Sequence, residues 1–117
     1  MEGFDERLSP PIYAYNEVDI GYRISHKYDN SFIFLPDALV YHHKSEGGGT
    51  RNNFPQEDVY SSTQWNYGYF LGKNYTFLEN FICMIKRSGF QIMKEPEAIQ
   101  HIIQGFIRGK KSRFSRK

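Results

Sequence analysis

The chain holds a single cysteine, Cys83, among its 117 residues. One cysteine excludes an internal disulfide and any paired-cysteine metal site. Its place in the apolar run Phe81-Ile82-Cys83-Met84-Ile85 gives it the character of a small core side chain, and a reducing compartment fits. Long hydrophobic runs are also missing. Glu79, Asn80 and Lys86 interrupt the most apolar region, well short of the ~18 uncharged residues that a membrane span needs. No signal peptide is evident. A cytoplasmic protein is expected, either soluble or peripheral at the inner face of the membrane. There is no internal repeat, no Asp-x-Asp, no phosphate-loop spacing and no nucleic-acid fold motif, so nucleic acid is not an expected partner.

Aromatic side chains are abundant: ten Phe, nine Tyr and one Trp, 17% of the chain. Each covers much area on burial, so a chain of this length can still close one small core. Sugar-binding surfaces also favour exposed aromatics, and composition does not separate the two uses. Charge is unevenly placed. From Arg108 to Lys117 there are six basic residues and no acid, which leaves nine basic against thirteen acidic groups, a net of −4, in the other 107 residues. A basic tail on a mildly acidic body suits an anionic membrane surface, and a disordered solvating end is the plainer reading of the same residues.

The spacing predicts a loop over residues 1–14 around Pro10-Pro11, then a helix from Asn16 to Lys27 with Asn16 as N-cap. Asp29-Asn30 reads as a turn. Ser31 to Leu35 and Ala38 to His42 read as two short strands divided by Pro36-Asp37. The run Lys44 to Asn53 carries three adjacent glycines, which suits a linker or a flap and marks a boundary, since each glycine loses much backbone entropy on ordering. Three helices follow: Pro55 to Gly72, a second opened by a Thr76/Glu79 capping box and ending near Gly89, and a third from Pro96 to about Arg108. The last ten residues are expected to be disordered.

The candidate chemistry gathers at the start of the first helix. Asn16, Glu17 and Asp19 place an amide and two carboxylates where the helix dipole favours negative charge, a good setting for a proton acceptor. Acids in a first turn are also ordinary on surface helices, and Asp19 with Arg23 at i,i+4 makes a simple ion pair. His42 shares a predicted strand face with Val40 and Ala38. His26 and His101 have no partners at metal spacing.

Gly3-Phe4-Asp5-Glu6, the acidic helix start at Asn16-Glu17 and the segment Leu35-Pro36-Asp37-Ala38-Leu39-Val40-Tyr41-His42-His43 together resemble, in order and spacing, the C-terminal part of a family 2 glycosyltransferase catalytic domain. Lys73-Asn74-Tyr75 and Ile103-Gln104-Gly105-Phe106-Ile107-Arg108-Gly109 are similar to the helical tail of its rhamnosyltransferase-like members. The resemblance implies an α/β fold: the C-terminal portion of a GT-A-type fold over residues 1–53, with one helix and two short strands, and a helical tail over 54–117. It implies inverting transfer of a sugar from a nucleotide-sugar donor to a glycan or lipid-linked acceptor, in cell wall or polysaccharide biosynthesis. Glu17 would be the general base and Asp19 the second candidate. Asn16, standing where the family has a glutamate, would hold the acceptor, and Arg51 would close over the donor's diphosphate. Trp65, read from its place in the sequence, lines an acceptor groove, rests on a membrane or, as the plainer use, packs the helical tail against the catalytic portion. His42 would help bind a divalent cation, Mg or Mn, only in a complete enzyme. The family's donor-binding half has no counterpart in this sequence, so the chain is expected to be a fragment or a split subunit, inactive alone. A non-catalytic membrane- or protein-docking module is the alternative.

Overall fold

A computed structural model of the chain describes residues 3–41, 53–76, 78–80, 82–83, 85–86 and 96–114. Three helices organise them: α1 (Asn16–Lys27), α2 (Gln56–Asn74) and α3 (Glu97–Phe114). Helical turns also occur at 78–80, 82–83 and 85–86. Among the described residues there is no strand, and this overturns the expected α/β fold.

Residues 31–35 and 38–41 have no regular structure, and Pro36-Asp37 makes a turn whose Ala38 N–H donates to the Leu35 carbonyl. Their aromatic and branched side chains suit a strand. A strand, however, needs a neighbour for its backbone N–H and C=O groups, and its propensity reflects the surface it packs on. Neither is present among the described residues: Phe34 is 88% exposed and Val40 87%. The glycine-rich run expected over 44–53 and the end of the second strand at His42 lie outside the described residues, apart from Asn53.

Helix α1 has the predicted bounds but a different cap. Tyr15 holds the N-cap position in the left-handed region (φ 75°) and makes no side-chain cap bond, and Asn16 is the first helical residue. The helix ends where Tyr28 turns extended, its N–H closing on the Ile24 carbonyl.

Helix α2 is the axis of the molecule, and its surroundings explain its sequence. At about 100° per residue, its positions fall on three faces. Gly68 and Gly72 face α3, where Gly105 and Gly109 meet them reciprocally. A Cβ on Gly68 would strike the Ile102 carbonyl, one on Gly72 the Phe106 carbonyl, one on Gly105 the Trp65 carbonyl and one on Gly109 the Tyr69 carbonyl. The matched pairs rise together along both helices, so α2 and α3 run parallel with their backbones in direct contact. Only residues without a Cβ permit that approach. Tyr67, Phe70 and Asn74 form the second face, turned to α1. There Tyr15 packs on Tyr67 and Phe70 with ring centroids 5.6 and 5.9 Å apart, and Tyr22 meets Phe70 and Tyr75 edge-on. Much of the aromatic content is thus spent on joining helices.

The third face carries Ser62, Asn66, Tyr69 and Lys73, spaced i, i+4, i+7 and i+11. It receives the N-terminal segment. Ser9 donates its N–H to Asn66 Oδ1 (2.6 Å), and its carbonyl accepts from Asn66 Nδ2 (3.0 Å) and Ser62 Oγ (2.8 Å). Leu8 inserts beside them and is 2% exposed. The first and second portions of the chain therefore share one core.

Helix α3 runs six residues past the expected end at Arg108, and the predicted disorder of the last ten residues is corrected for Arg108 to Phe114. Gly109 is packed against α2, and Lys110 Nζ and Arg113 Nη1 donate to the Tyr75 carbonyl (3.4 and 3.0 Å). Cations in a last turn also suit the helix dipole. Residues 115–117 lie outside the described residues.

Candidate functional site

The N-terminal segment, the first turn of α1 and the end of α2 converge on one buried lysine. Lys73 Nζ lies 2.7 Å from Asp5 Oδ2 and 2.7 and 2.8 Å from the two Asp19 oxygens. All three side chains are at most 4% exposed. Asp5 also accepts from Arg7 through Nε (2.8 Å), Nη2 (3.0 Å) and the backbone N–H (3.1 Å), and from the Tyr69 hydroxyl (3.1 Å). Asp19 accepts from Arg23 Nε (3.0 Å) and Asn74 Nδ2 (2.9 Å). Arg23 reaches on to the Gly3 carbonyl at 2.7 Å.

Two carboxylates thus face three cations. Buried charges are tolerated only when paired and hydrogen-bonded, and here each carboxylate oxygen has at least one donor. Burial by itself would raise the Asp5 carboxyl. The Arg7 and Lys73 hydrogen bonds outweigh it and hold the group well below the usual carboxylate range. Burial pushes the Tyr69 phenol up, and the Asp5 charge adds to that.

This network separates the two acids of the α1 first turn. Asp19 forms the i,i+4 ion pair with Arg23 and is 2% exposed, tied into the scaffold on every side. A carboxylate so engaged has no lone pair directed at an outside hydroxyl. Glu17 is exposed one position after the start of α1, with no hydrogen bond or ion pair among the described residues. Asn16 beside it is half-buried, and its Oδ1 has no partner among the described residues.

The other predicted site residues fall elsewhere. Trp65 is half-buried on α2, about 160° round the helix from Tyr67; it stacks on Tyr69 (centroids 5.4 Å apart, planes 9°) and turns toward α3 rather than α1. The structure does not bring it to Asn16 and Glu17. His42 and Arg51 lie outside the described residues. Among the described residues no three His, Cys, Asp or Glu side chains converge as a metal site, so no ligand set for a divalent cation is on view.

An open cleft of about 470 Å³ lies beside the second half of α1, between Tyr22, Arg23, His26 and the Thr76–Glu79 turn. Its floor is fixed. Tyr22 donates to the Asn74 carbonyl (3.0 Å), and Glu79 Oε2 accepts from Thr76 N and Oγ1 (2.8 and 2.7 Å). Those two bonds, the backbone one first, hold the Glu79 carboxyl below its ordinary value. The predicted capping box is therefore present in its Glu79-to-Thr76 arm.

Sequence reasoning missed the lysine at the centre. Gly3-Phe4-Asp5-Glu6 and Lys73-Asn74-Tyr75 were two separate motifs in the sequence, and in the fold Asp5 and Lys73 make one ion pair. The available signal was the polar stripe Ser62, Asn66, Tyr69, Lys73 on a single helix face. Among the described residues no helix is long and apolar enough to cross a membrane. Comparison with protein-family models, curated proteins and solved structures gave no match.

Proposed function

We propose that this chain is the acceptor-side and general-base portion of an inverting glycosyltransferase, which moves a sugar from a nucleotide-sugar to a glycan or lipid-linked acceptor. It works only together with a donor-binding portion. The observation that supports this is the division between the two acids of α1: Asp19 is consumed by the scaffold, while Glu17 stands exposed at the positive end of the helix. In this reading Glu17 takes the proton of the acceptor hydroxyl as that oxygen attacks the anomeric carbon, on the face opposite the departing nucleotide. Asn16 adds no charge beside the base, and its Oδ1 is buried rather than turned to the acceptor.

The exposed apolar side chains of Phe32 to Leu35 and Leu39 to Tyr41 support a missing neighbour. All seven are at least 62% exposed, and large exposed apolar surface marks a site of interaction. The donor-binding portion would cover this surface.

The test is Glu17→Gln in the complete or reassembled enzyme. Sugar transfer should fall below detection while donor binding, read by calorimetry, is retained. Retained turnover would refute the assignment of Glu17, and turnover of a nucleotide-sugar by the isolated chain would refute the need for a second portion. A second reading, a docking module without catalysis, draws on the ordered cations of α3. It predicts liposome flotation that depends on Arg108 to Lys117 and is indifferent to Glu17→Gln.

A further inference from the structure

We infer, on the reading that makes Glu17 the base, that Lys73 is a positioning residue for it. By gripping Asp19, Lys73 fixes the rotation of α1 about its own axis, and with it the place where the Glu17 carboxylate stands.

The start of α1 is not held by its own sequence. Tyr15 at the N-cap makes no side-chain cap bond and sits at φ 75°, a region that residues with a side chain occupy only when their surroundings impose it. At 12 residues the helix is also of a length that is marginal in water by itself. The missing hold comes from α2. Lys73 Nζ bonds both Asp19 oxygens, at 2.7 and 2.8 Å, and Asn74 Nδ2 adds a bond at 2.9 Å. Lys73 is itself fixed: Asp5 takes its Nζ at 2.7 Å, its side chain is 3% exposed, and Gly72 beside it is packed against the Phe106 carbonyl of α3. A cation bonded to both oxygens of one carboxylate sets an angle as well as a distance. Buried ion pairs are a poor source of net stability, and a fixed register is their best-attested use.

Helix geometry links that grip to the base. Residues two apart on a helix point about 200° apart, so Asp19 turned in to α2 sends Glu17 to the outer face, where it is exposed. A side chain reaches roughly 5–6 Å from the helix axis, so turning α1 by about 10° carries the Glu17 carboxylate through about 1 Å. Misplacement on that scale costs on the order of a hundredfold in rate. Without Lys73 the helix keeps the Arg23–Asp19 pair, the Tyr22 bond to the Asn74 carbonyl and the Tyr15 ring contacts. It stays attached and loses its set angle.

The test compares Lys73→Met and Asp19→Asn in the complete or reassembled enzyme. Asn66→Ala is the control for lost stability, since its bonds go to Ser9 and not to α1. In both test variants kcat should fall roughly 10- to 100-fold, with KM for donor and acceptor within about twofold of the parent and the control's kcat nearly unchanged. Residual dipolar couplings of the folded chain, which report the direction of each N–H, give a readout without activity. In Lys73→Met they should still fit the parent arrangement over α2 and α3 and no longer fit it over residues 16–27. A kcat within about twofold of the parent in both variants, an equal loss in Asn66→Ala, a change confined to KM, or α1 couplings that match the parent overturns the role. If Lys73→Met does not fold, Asp19→Asn, which keeps the side-chain shape and leaves Lys73 its bond to Asp5, carries the comparison. Turnover retained in Glu17→Gln sinks the base and this role with it, whereas an inactive Glu17→Gln beside a fully active Lys73→Met sinks the positioning role alone.

Discussion

Alanine at Gly68 should destabilise the protein even though alanine is the better helix former. On a free helix surface the exchange gains ~0.8–1.0 kcal/mol. At Gly68 the new Cβ lands on the Ile102 carbonyl oxygen and stands 2.8 Å from its carbonyl carbon and 3.0 Å from its Cα. Carbon atoms in good contact are ~3.5–4.0 Å apart, so α2 and α3 must part by roughly 0.5–1 Å along a seam that Gly72, Gly105 and Gly109 also share. Overpacking of this kind costs ~1–3 kcal/mol, and the upper part of that range applies because the opposing atoms are backbone and cannot rotate away. After the propensity gain, a net loss of about 1–2 kcal/mol remains. That is roughly 3–8 °C in midpoint for a chain of this size. Gly21 is the internal control. It also lies in a helix interior, but its Cβ would meet only the Phe32 ring edge at 3.8 Å, so Gly21→Ala should stabilise by ~0.5–1 kcal/mol. Thermal denaturation followed by far-UV circular dichroism reads both. If the two substitutions shift the midpoint in the same, stabilising direction, the parallel glycine seam is not there.

Lys73→Met should cost ~3 kcal/mol, the low end of the range for breaking a buried pair, because Asp5 keeps Arg7 and Asp19 keeps Arg23. Adding Asp5→Asn and Asp19→Asn takes the carboxylates from Arg7 and Arg23 as well and should cost further stability; a triple variant as stable as the single one would count against the charge argument. Asn66→Ala strips both bonds from the Ser9 backbone; a loss of ~2–3 kcal/mol and faster proteolysis within residues 1–14 are expected. The Asp5 carboxyl lies below its unfolded value, so the unfolded chain binds more protons in that window. Its contribution is complete above about pH 4 and is lost as the pH falls from there through the folded value. The midpoint should therefore drop with acid below about pH 4 in the parent and much less in Asp5→Asn; equal slopes would remove Asp5 from the account.

Local pattern determined the helices. Apolar spacing, acids in the first turns of α1 and α2, and Pro96 before α3 are properties of consecutive residues, and the observed bounds agree with them to within a few positions, apart from the far end of α3. The same logic placed Asp19 with Arg23 four residues on and Glu79 with Thr76. What failed was decided at a distance. Residues 31–41 have strand-like side chains, but a strand exists only if another backbone pairs with it, and no stretch of sequence can report that absence. The tail beyond Arg108 reads as a solvated charge run, yet it stays helical because Gly109 fits against the Tyr69 carbonyl and two of its cations find the Tyr75 carbonyl. The meeting of Lys73 with Asp5, sixty-eight residues apart, likewise depends on the N-terminal segment docking on α2 through Leu8 and the Ser9–Asn66 bonds. The physical reason is that helix formation draws on interactions within a few residues, whereas sites are made where the chain returns to itself.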